Sequence, residues 1–279
     1  MDRLSPAHDS LGTRNDLCVR LARNGQEIAT AQELRFSVFY EELKANPDAA
    51  SLKSRRDADR FDAFCDHLIV VRRMAKNEVG QFSVDDGEMV GTYRLLRQSV
   101  AEQNGGFYTQ SEFDIAPLLA AKPTLKFLEL GRSCVLKQYR TKPVVELLWQ
   151  GIWNYVRRHR LDVMLGCASL EGIDHRVHAP TLNFLALNCA APAEWRVRAV
   201  PERYVEMKSD ARASIEAKAA LKALPPLIKG YLRLGCYIGE GAVIDRQFNT
   251  TDVLIILPVS NINPRYFTHF GQPDEAITY

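Results

Sequence analysis

The sequence predicts an α/β layer fold, a mixed sheet covered by helices. Three observations predict it. Two apolar segments, HLIVVRR (67–73) and EMVGTYRLL (88–96), are joined by a stretch ending in the turn dipeptide Asp86-Gly87, which reads as a hairpin. A strand–helix–strand unit occupies the centre of the chain, at 125–136, 143–160 and 162–169. A late apolar run, TDVLIILPV (251–259), reads as one more buried strand.

The elements follow in order. Residues 1–16 are polar and read as a disordered tail. LCVRLA (17–22) reads as a first strand. Thr30 and Glu33 fit a T-x-x-E capping box, which predicts a helix from there to about Leu43. Residues 44–60 are polar, with Pro47 near the start, and read as a loop. Residues 97–124 read as a loop with a short helix. LKFLELGRSCVL (125–136) reads as a strong strand.

PVVELLWQGIWNYVRRHR (143–160) carries Val145, Leu148, Ile152 and Tyr155/Val156 at helical spacing. Its Pro143 suits a first turn, and its closing arginines suit the negative end of a helix dipole. Residues 175–190 read as helical around Pro180. RVRAV and RYVEMK read as short strands, and 210–224 as a helix. In domain terms the chain divides into a tail (1–16), a core (17–200) and a C-terminal extension packed on it (201–279).

Composition narrows the function. Of 279 residues, 46% are hydrophobic and 25% charged, which is ordinary globular usage. A net charge of +2 gives no argument for nucleic acid. The six cysteines have neither CxxC nor zinc-ligand spacing; they read as free thiols in a reducing compartment, and no metal is expected. No apolar run has the 18 or so residues needed to span a bilayer, so the expected location is cytoplasmic. PPLIKGYLRLG (225–235) reads as a core helix, with peripheral contact at the inner face of the membrane as the alternative.

Several short motifs place chemistry-bearing residues together. Arg35 and Phe39 are four apart on one predicted helix, so they lie side by side. The acidic run Asp57, Asp59, Asp62 and Asp66 leads into His67. Arg94 sits inside an apolar strand and there needs a partner; Glu129 is the obvious one. Glu129 and Arg132 are three apart, which in a regular strand points them to opposite faces. A bulge at Gly131 would re-aim them. Gln138-Tyr139-Arg140-Thr141-Lys142-Pro143 stands at a helix N-terminus, where backbone N–H groups and basic side chains suit an anion. Taken singly, each has a plainer reading: a solvated helix face, a solvated loop, a structural Glu–Arg pair, a basic helix start.

As an ordered set, R-x-x-x-F, D…D, G-x-x-R-L and E-x-x-R resembles the acyl-homoserine-lactone synthases and their relatives. The stretch GRSCVLKQYRTKPVVELLWQGIW and the tail LPPLIKGYLRLG…DRQFNTTDVLIILPV are similar to the ornithine N-acyltransferases, over roughly Leu17 to Phe270. The lactone-making branch generally carries a Trp soon after R-x-x-x-F. None occurs between Tyr40 and Asp66.

The resemblance implies a GNAT-like acyl-CoA N-acyltransferase fold, with a mixed central sheet, splayed strands, flanking helices and a C-terminal extension. It implies transfer of a 3-hydroxyacyl chain from acyl carrier protein to the α-amino group of L-ornithine, giving lyso-ornithine lipid. No cofactor stays bound; the 4'-phosphopantetheine thioester arrives on the carrier. Arg35, Phe39, Asp62, Asp66, Arg94, Glu129 and Arg132 would line the cleft, and Arg140, Thr141 and Lys142 would hold the pantetheine phosphate.

The expected general base is Glu129, with Asp62 second. Arg35 or Arg94 is expected to take the acceptor carboxylate, and Asp59 or Asp66 its side-chain ammonium. Carrier protein is acidic, so Lys137, Arg140, Lys142, Arg157, Arg158 and Arg160 are the expected docking residues. Three rivals remain at this point: a lactone synthase using S-adenosylmethionine, a thiol enzyme built on Cys134 or Cys167 with His175 or His178, and a non-catalytic module that senses acyl carrier protein.

Overall fold

The computed structural model describes residues 10–74, 80–208, 217–263 and 266. In chain order it contains β1 (Ser10–Arg14), β2 (Leu17–Leu21), α1 (Gly25–Phe36), α2 (Ala49–Ser54), β3 (Asp66–Arg72), β4 (Ser83–Val84), β5 (Gly87–Arg97), α3 (Gln98–Ala101), α4 (Ala116–Ala121) and β6 (Phe127–Val135). Then come α5 (Lys142–His159), β7 (Val163–Glu171), α6 (Ala179–Asn188), β8 (Tyr204–Val205), α7 (Ala217–Ala223), α8 (Pro226–Leu234), β9 (Tyr237–Asp245) and β10 (Thr250–Pro258). The described residues form two compact units, and the chain passes from one to the other inside β6, between Glu129 and Leu130.

The first unit holds residues 10–100 and Leu130–Arg160. Its strands β1, β2, β3 and β5 pair antiparallel in that order, and β4 closes the expected hairpin with Val84 opposite Gly87. In β3 successive side chains serve opposite faces. Ile69 and Val71 pack with Ala31, Leu34 and Val38 of the α1 segment, while Leu68 meets α5. A Cβ at Gly151 of α5 would lie 2.6 Å from Val19 and 3.2 Å from Leu68, so only glycine lets the helix come this close. Burial on both faces explains why β3 reads as a continuous apolar run.

The second unit holds Ala101–Glu129 with residues 161–263 and 266. Here β6 begins parallel to β7 through Phe127↔Val163, Leu128↔Met164 and Glu129↔Leu165. Strand β10 lies between β7 and β9, antiparallel to both. Parallel and antiparallel pairs together make the sheet mixed, as the sequence predicts.

Several sequence expectations change. Ser10–Arg14 is a strand paired with β2, not part of a tail; residues 1–9 lie outside the described residues. Helix α1 starts earlier than the capping box implied. Asn24 is its cap, accepting from the Glu27 N–H at 2.9 Å. Thr30 instead sits mid-helix and donates to the Gln26 carbonyl at 3.0 Å, a back-bond open to any interior threonine. Past Phe36 the helix widens into a π-turn, Ser37–Glu42.

The polar 44–60 segment contains α2, capped by Asp48 on the Ser51 N–H at 2.7 Å. RVRAV forms only isolated bridges, Arg198↔Glu240 and Phe113↔Ala199. Of the helix expected over 210–224, residues 210–216 lie outside the described residues. Strand β9 had no counterpart in the reading. In α8, Ile228 is fully buried and Tyr231 is 4% exposed, so one face of this helix packs inward as the core-helix reading expects. Among the described residues no helix is long and apolar enough to cross a membrane.

Candidate active site

Most of the expected site residues of the first unit meet in one buried ion network. Arg35 comes from α1 and is fully buried. Its Nε stands 2.8 Å from Asp57 Oδ2, and its Nη2 stands 2.9 Å from Asp62 Oδ2. Arg94 of β5 pairs with Asp59 at 2.6 Å and with Asp62 at 3.4 Å. Arg132 reaches Asp57 at 3.2 Å and Asp59 at 3.1 Å. Three guanidiniums thus share three carboxylates, and formal charge cancels.

Backbone supports the network. Asp59 caps the short 3-10 turn Arg60–Ala63, whose own Asp62 accepts from the Asp59 N–H at 3.0 Å. Burial alone would raise the Asp62 pKa, but the Arg35 and Arg94 charges outweigh it and hold it down at about 2. His67 is buried beside it, with Nε2 3.0 Å from the Asp62 carbonyl; burial pushes its pKa down and favours the neutral ring.

The bend expected in β6 is present, but one residue on. Arg132, not Gly131, takes the left-handed conformation, with φ of 52°. For a residue with a Cβ this costs roughly 1–2 kcal/mol. Such outliers cluster at functional sites. Here it places Arg132 on Asp57 and Asp59.

Three other expected residues have contacts of their own. Phe39 packs on the apolar cluster of α1, β3 and β5. Asp66 accepts from the Tyr155 hydroxyl of α5 and lies 3.5 Å from Arg97. Glu129 is in the second unit, 5% exposed. Its Oε2 accepts from the Tyr108 N–H at 3.0 Å and its Oε1 from the Thr109 N–H at 2.7 Å. It therefore clamps the turn Tyr108–Ser111.

The turn before α5 is partly filled by the protein itself. Glu42 takes both ends of the Arg140 fork, at 2.6 and 2.8 Å, and Arg140 Nε donates to the Val135 carbonyl at 3.0 Å. Thr141 is the exposed N-cap residue of α5. Lys142 is 84% exposed and pairs only loosely with Glu146, at 3.5 Å. The six expected docking cations fall at the two ends of α5, an 18-residue helix about 27 Å long. Lys137, Arg140 and Lys142 stand at its start; Arg157, Arg158 and Arg160 stand at its end.

One group escaped the sequence reading. Glu112, Asp245 and Asp252, all buried, present carboxylate oxygens within 4.8 Å of one another. A signal was available: Asp252 is a charge inside an apolar run. The thiols proposed for the rival chemistry are poor nucleophiles. Burial pushes the Cys134 and Cys167 pKa values far up, and a thiol that stays protonated does not attack.

Fold and motifs together define an acyltransferase of the GNAT class; the acetyltransferase (GNAT) domain family matches residues 34–150. The chain is 50% identical over 266 residues to the L-ornithine N(alpha)-acyltransferase of Agrobacterium fabrum, covering 95% of this chain and 89% of that protein. It is 49% identical over 267 residues to the protein of the same name from Rhizobium meliloti, covering 96% and 88%. A solved N-acyl amino acid synthase from uncultured soil microbes is similar at 12% identity and a TM-score of 0.47, covering 88% of this chain and 91% of that one. The chain belongs to the L-ornithine N(alpha)-acyltransferase family.

Proposed function

We propose that this acyltransferase moves a 3-hydroxyacyl chain from acyl carrier protein to the α-amino group of L-ornithine, giving lyso-ornithine lipid in the first step of ornithine lipid formation. The observation that carries the reading is the 50% identity, across nearly the whole chain, to a protein named for that acceptor.

The chemistry is direct attack of an amine on a thioester carbonyl. The α-ammonium must first lose a proton, the carbonyl then becomes an oxyanion, and the thiolate leaves. Glu129 is the proposed proton acceptor. Each of its oxygens holds one backbone N–H, which fixes the orientation of the carboxylate, and a positioned carboxylate is a common general base. Asp62 suits the role poorly, because a carboxyl held at about 2 is a weak base at neutral pH. Its place among Arg35, Arg94 and Arg132 fits positioning. By the same geometry the three arginines answer to aspartates.

For the phosphopantetheine phosphate, Lys142 and the exposed start of α5 fit best. A phosphate on Arg140 would have to compete with Glu42. The cations at that end, Lys137, Arg140 and Lys142, make the proposed docking patch for the acidic carrier.

The test is a product assay. Purified protein is given 3-hydroxyacyl carrier protein and equimolar ornithine, lysine, glutamine and S-adenosylmethionine, and products are read by mass spectrometry. N-acyl-ornithine as the main product supports the reading. Another acyl amino acid corrects the acceptor, and a homoserine lactone overturns the reading.

A further inference from the structure

We infer that Glu112, Asp245 and Asp252 form the receptor for the ammonium group of the acceptor that does not react, its side-chain amine. The inference rests on the ornithine reading above and deepens it. All three residues belong to the second unit, as does Glu129.

Three acidic side chains gathered in the interior are not self-sufficient. Glu112 is 1% exposed, Asp252 5% and Asp245 6%. Asp245 is partly occupied, since its Oδ1 accepts from the Gln247 and Phe248 N–H groups at 2.8 and 2.9 Å. Glu112 Oε2 and Asp252 Oδ1, by contrast, have no hydrogen-bond partner among the described residues. Leaving a buried acceptor unmade is expensive. The nearby cation is Arg203, 3.5 Å from Glu112 and one-third exposed, against three carboxylates. The group is short of positive charge: Cys167 stands beside Glu112, and Ser169 and Thr250 beside Asp252, but these neighbours are neutral.

A primary ammonium supplies what is missing. It carries one charge and three N–H donors, one for each carboxylate. A divalent metal fits less well. Calcium takes six to eight oxygens and magnesium keeps several waters, while this site is buried and has a guanidinium alongside. The walls are firm: Asp252 lies in β10 between Ser169 of β7 and Val243 of β9.

Position links the group to the reaction. The turn that Glu129 grips through the Tyr108 and Thr109 N–H groups ends at Glu112, whose own N–H donates to the Thr109 carbonyl at 3.0 Å. One short turn therefore sets both the proposed base and the first member of the receptor. The amine that attacks must lose its proton, and the other keeps it. A carboxylate receptor for the charged amine would present the α-amine to the thioester and keep the side-chain amine away from it. Burial and mutual repulsion push the Glu112 and Asp252 pKa values up, a penalty that a bound cation removes.

The experiment compares ornithine with 2-aminopentanoic acid, the same skeleton without the side-chain amine, both with acyl carrier protein thioester as donor. The unmodified enzyme is expected to prefer ornithine by ~10³-fold or more in kcat/KM, since a site built for a polar group strongly rejects the analogue lacking it. Asp252→Asn is expected to shrink that preference at least ~10-fold and to raise the share of product acylated on the side-chain amine. Glu112→Gln serves as a second variant, with thermal unfolding reporting that each is folded. A preference unchanged in both folded variants overturns the inference and leaves the ornithine reading standing. Failure of the unmodified enzyme to make N-acyl-ornithine overturns both. A thermal shift with calcium or magnesium chloride alone, abolished in Asp252→Asn, overturns it in favour of a metal.

Discussion

Arg35 Nη2 stands 2.9 Å from Asp62 Oδ2, with the two side chains 1% and 5% exposed. A pair this buried is costly to assemble, but removing one partner is worse, because the other stays charged and alone. Arg35 is also within reach of Asp57, so its loss strands two carboxylates.

Arg35→Ala is therefore expected to lower stability by about 3–5 kcal/mol, read as a shift in the urea midpoint. Arg35→Lys should recover little of it, since an ammonium lacks the fork that spans Asp57 and Asp62. A lysine variant as stable as the parent would show that the network needs charge and not geometry.

The same pair gives an acid limb to stability. The Asp62 pKa is about 2 in the fold against an ordinary 3.8, so its contribution is present above the ordinary value and is lost as pH falls through about 2. The shift corresponds to about 2 kcal/mol. Asp62→Asn should flatten the stability profile over that range. An unchanged acid limb would exclude Asp62 as its source.

How much of this was legible in sequence depends on what each residue answers to. Strand β3 and helix α5 were legible because burial writes itself as a local repeat. Arg94 was legible as a buried charge needing a partner. Its partners were not, because Asp59 and Asp62 reach it only through the 3-10 turn that Asp59 caps. That Glu129 grips the Tyr108 and Thr109 N–H groups was not legible either, because that turn lies about twenty residues away in sequence. The start of α1 was misplaced because Thr30 and Glu33 fit a capping motif by type, while Asn24 does the capping. Asp252 was overlooked because its apolar neighbours dominate the run in which it sits.

Glu129→Gln tests the proposed base. Turnover is expected to fall ~10²-fold or more, with the KM for ornithine changed far less. Some stability should go as well, about 1–3 kcal/mol, because an amide NH₂ then faces a backbone N–H. A stopped-flow rate equal to that of the parent would remove Glu129 from the reaction and leave it as the clamp of the turn.

Donor binding separates the two ends of α5. Lys142→Ala removes an exposed charge and is expected to leave stability within ~0.5 kcal/mol while raising the KM for carrier protein. Added salt should raise the parent's KM in the same direction, since exposed charges are screened. Arg158→Ala, at the far end, is expected to leave that KM alone. If Arg158 matters and Lys142 does not, the docking patch lies at the other end of the helix.

The buried carboxylates predict a second pH dependence, opposite in sense to that of Asp62. Burial first, and then the neighbouring charges, raise the pKa of Glu112 and of Asp252 above the ordinary carboxylate range. A raised acid holds its proton more tightly folded than unfolded. Below the ordinary values both states are protonated and the group makes no difference. As pH climbs from there towards neutrality the unfolded chain ionises first, and the fold loses stability until the native carboxyls ionise too. Asp252→Asn removes that loss, so its thermal midpoint should pull ahead of the parent as pH rises from the ordinary 3.8 to about 6 and hold that lead above it, while matching the parent at the acid end. Saturating ornithine should do the same for the parent, because an ammonium among the carboxylates stabilises their charged form. Superimposable profiles for parent and variant, with and without ornithine, would mean that the three carboxylates find their compensation elsewhere in the fold.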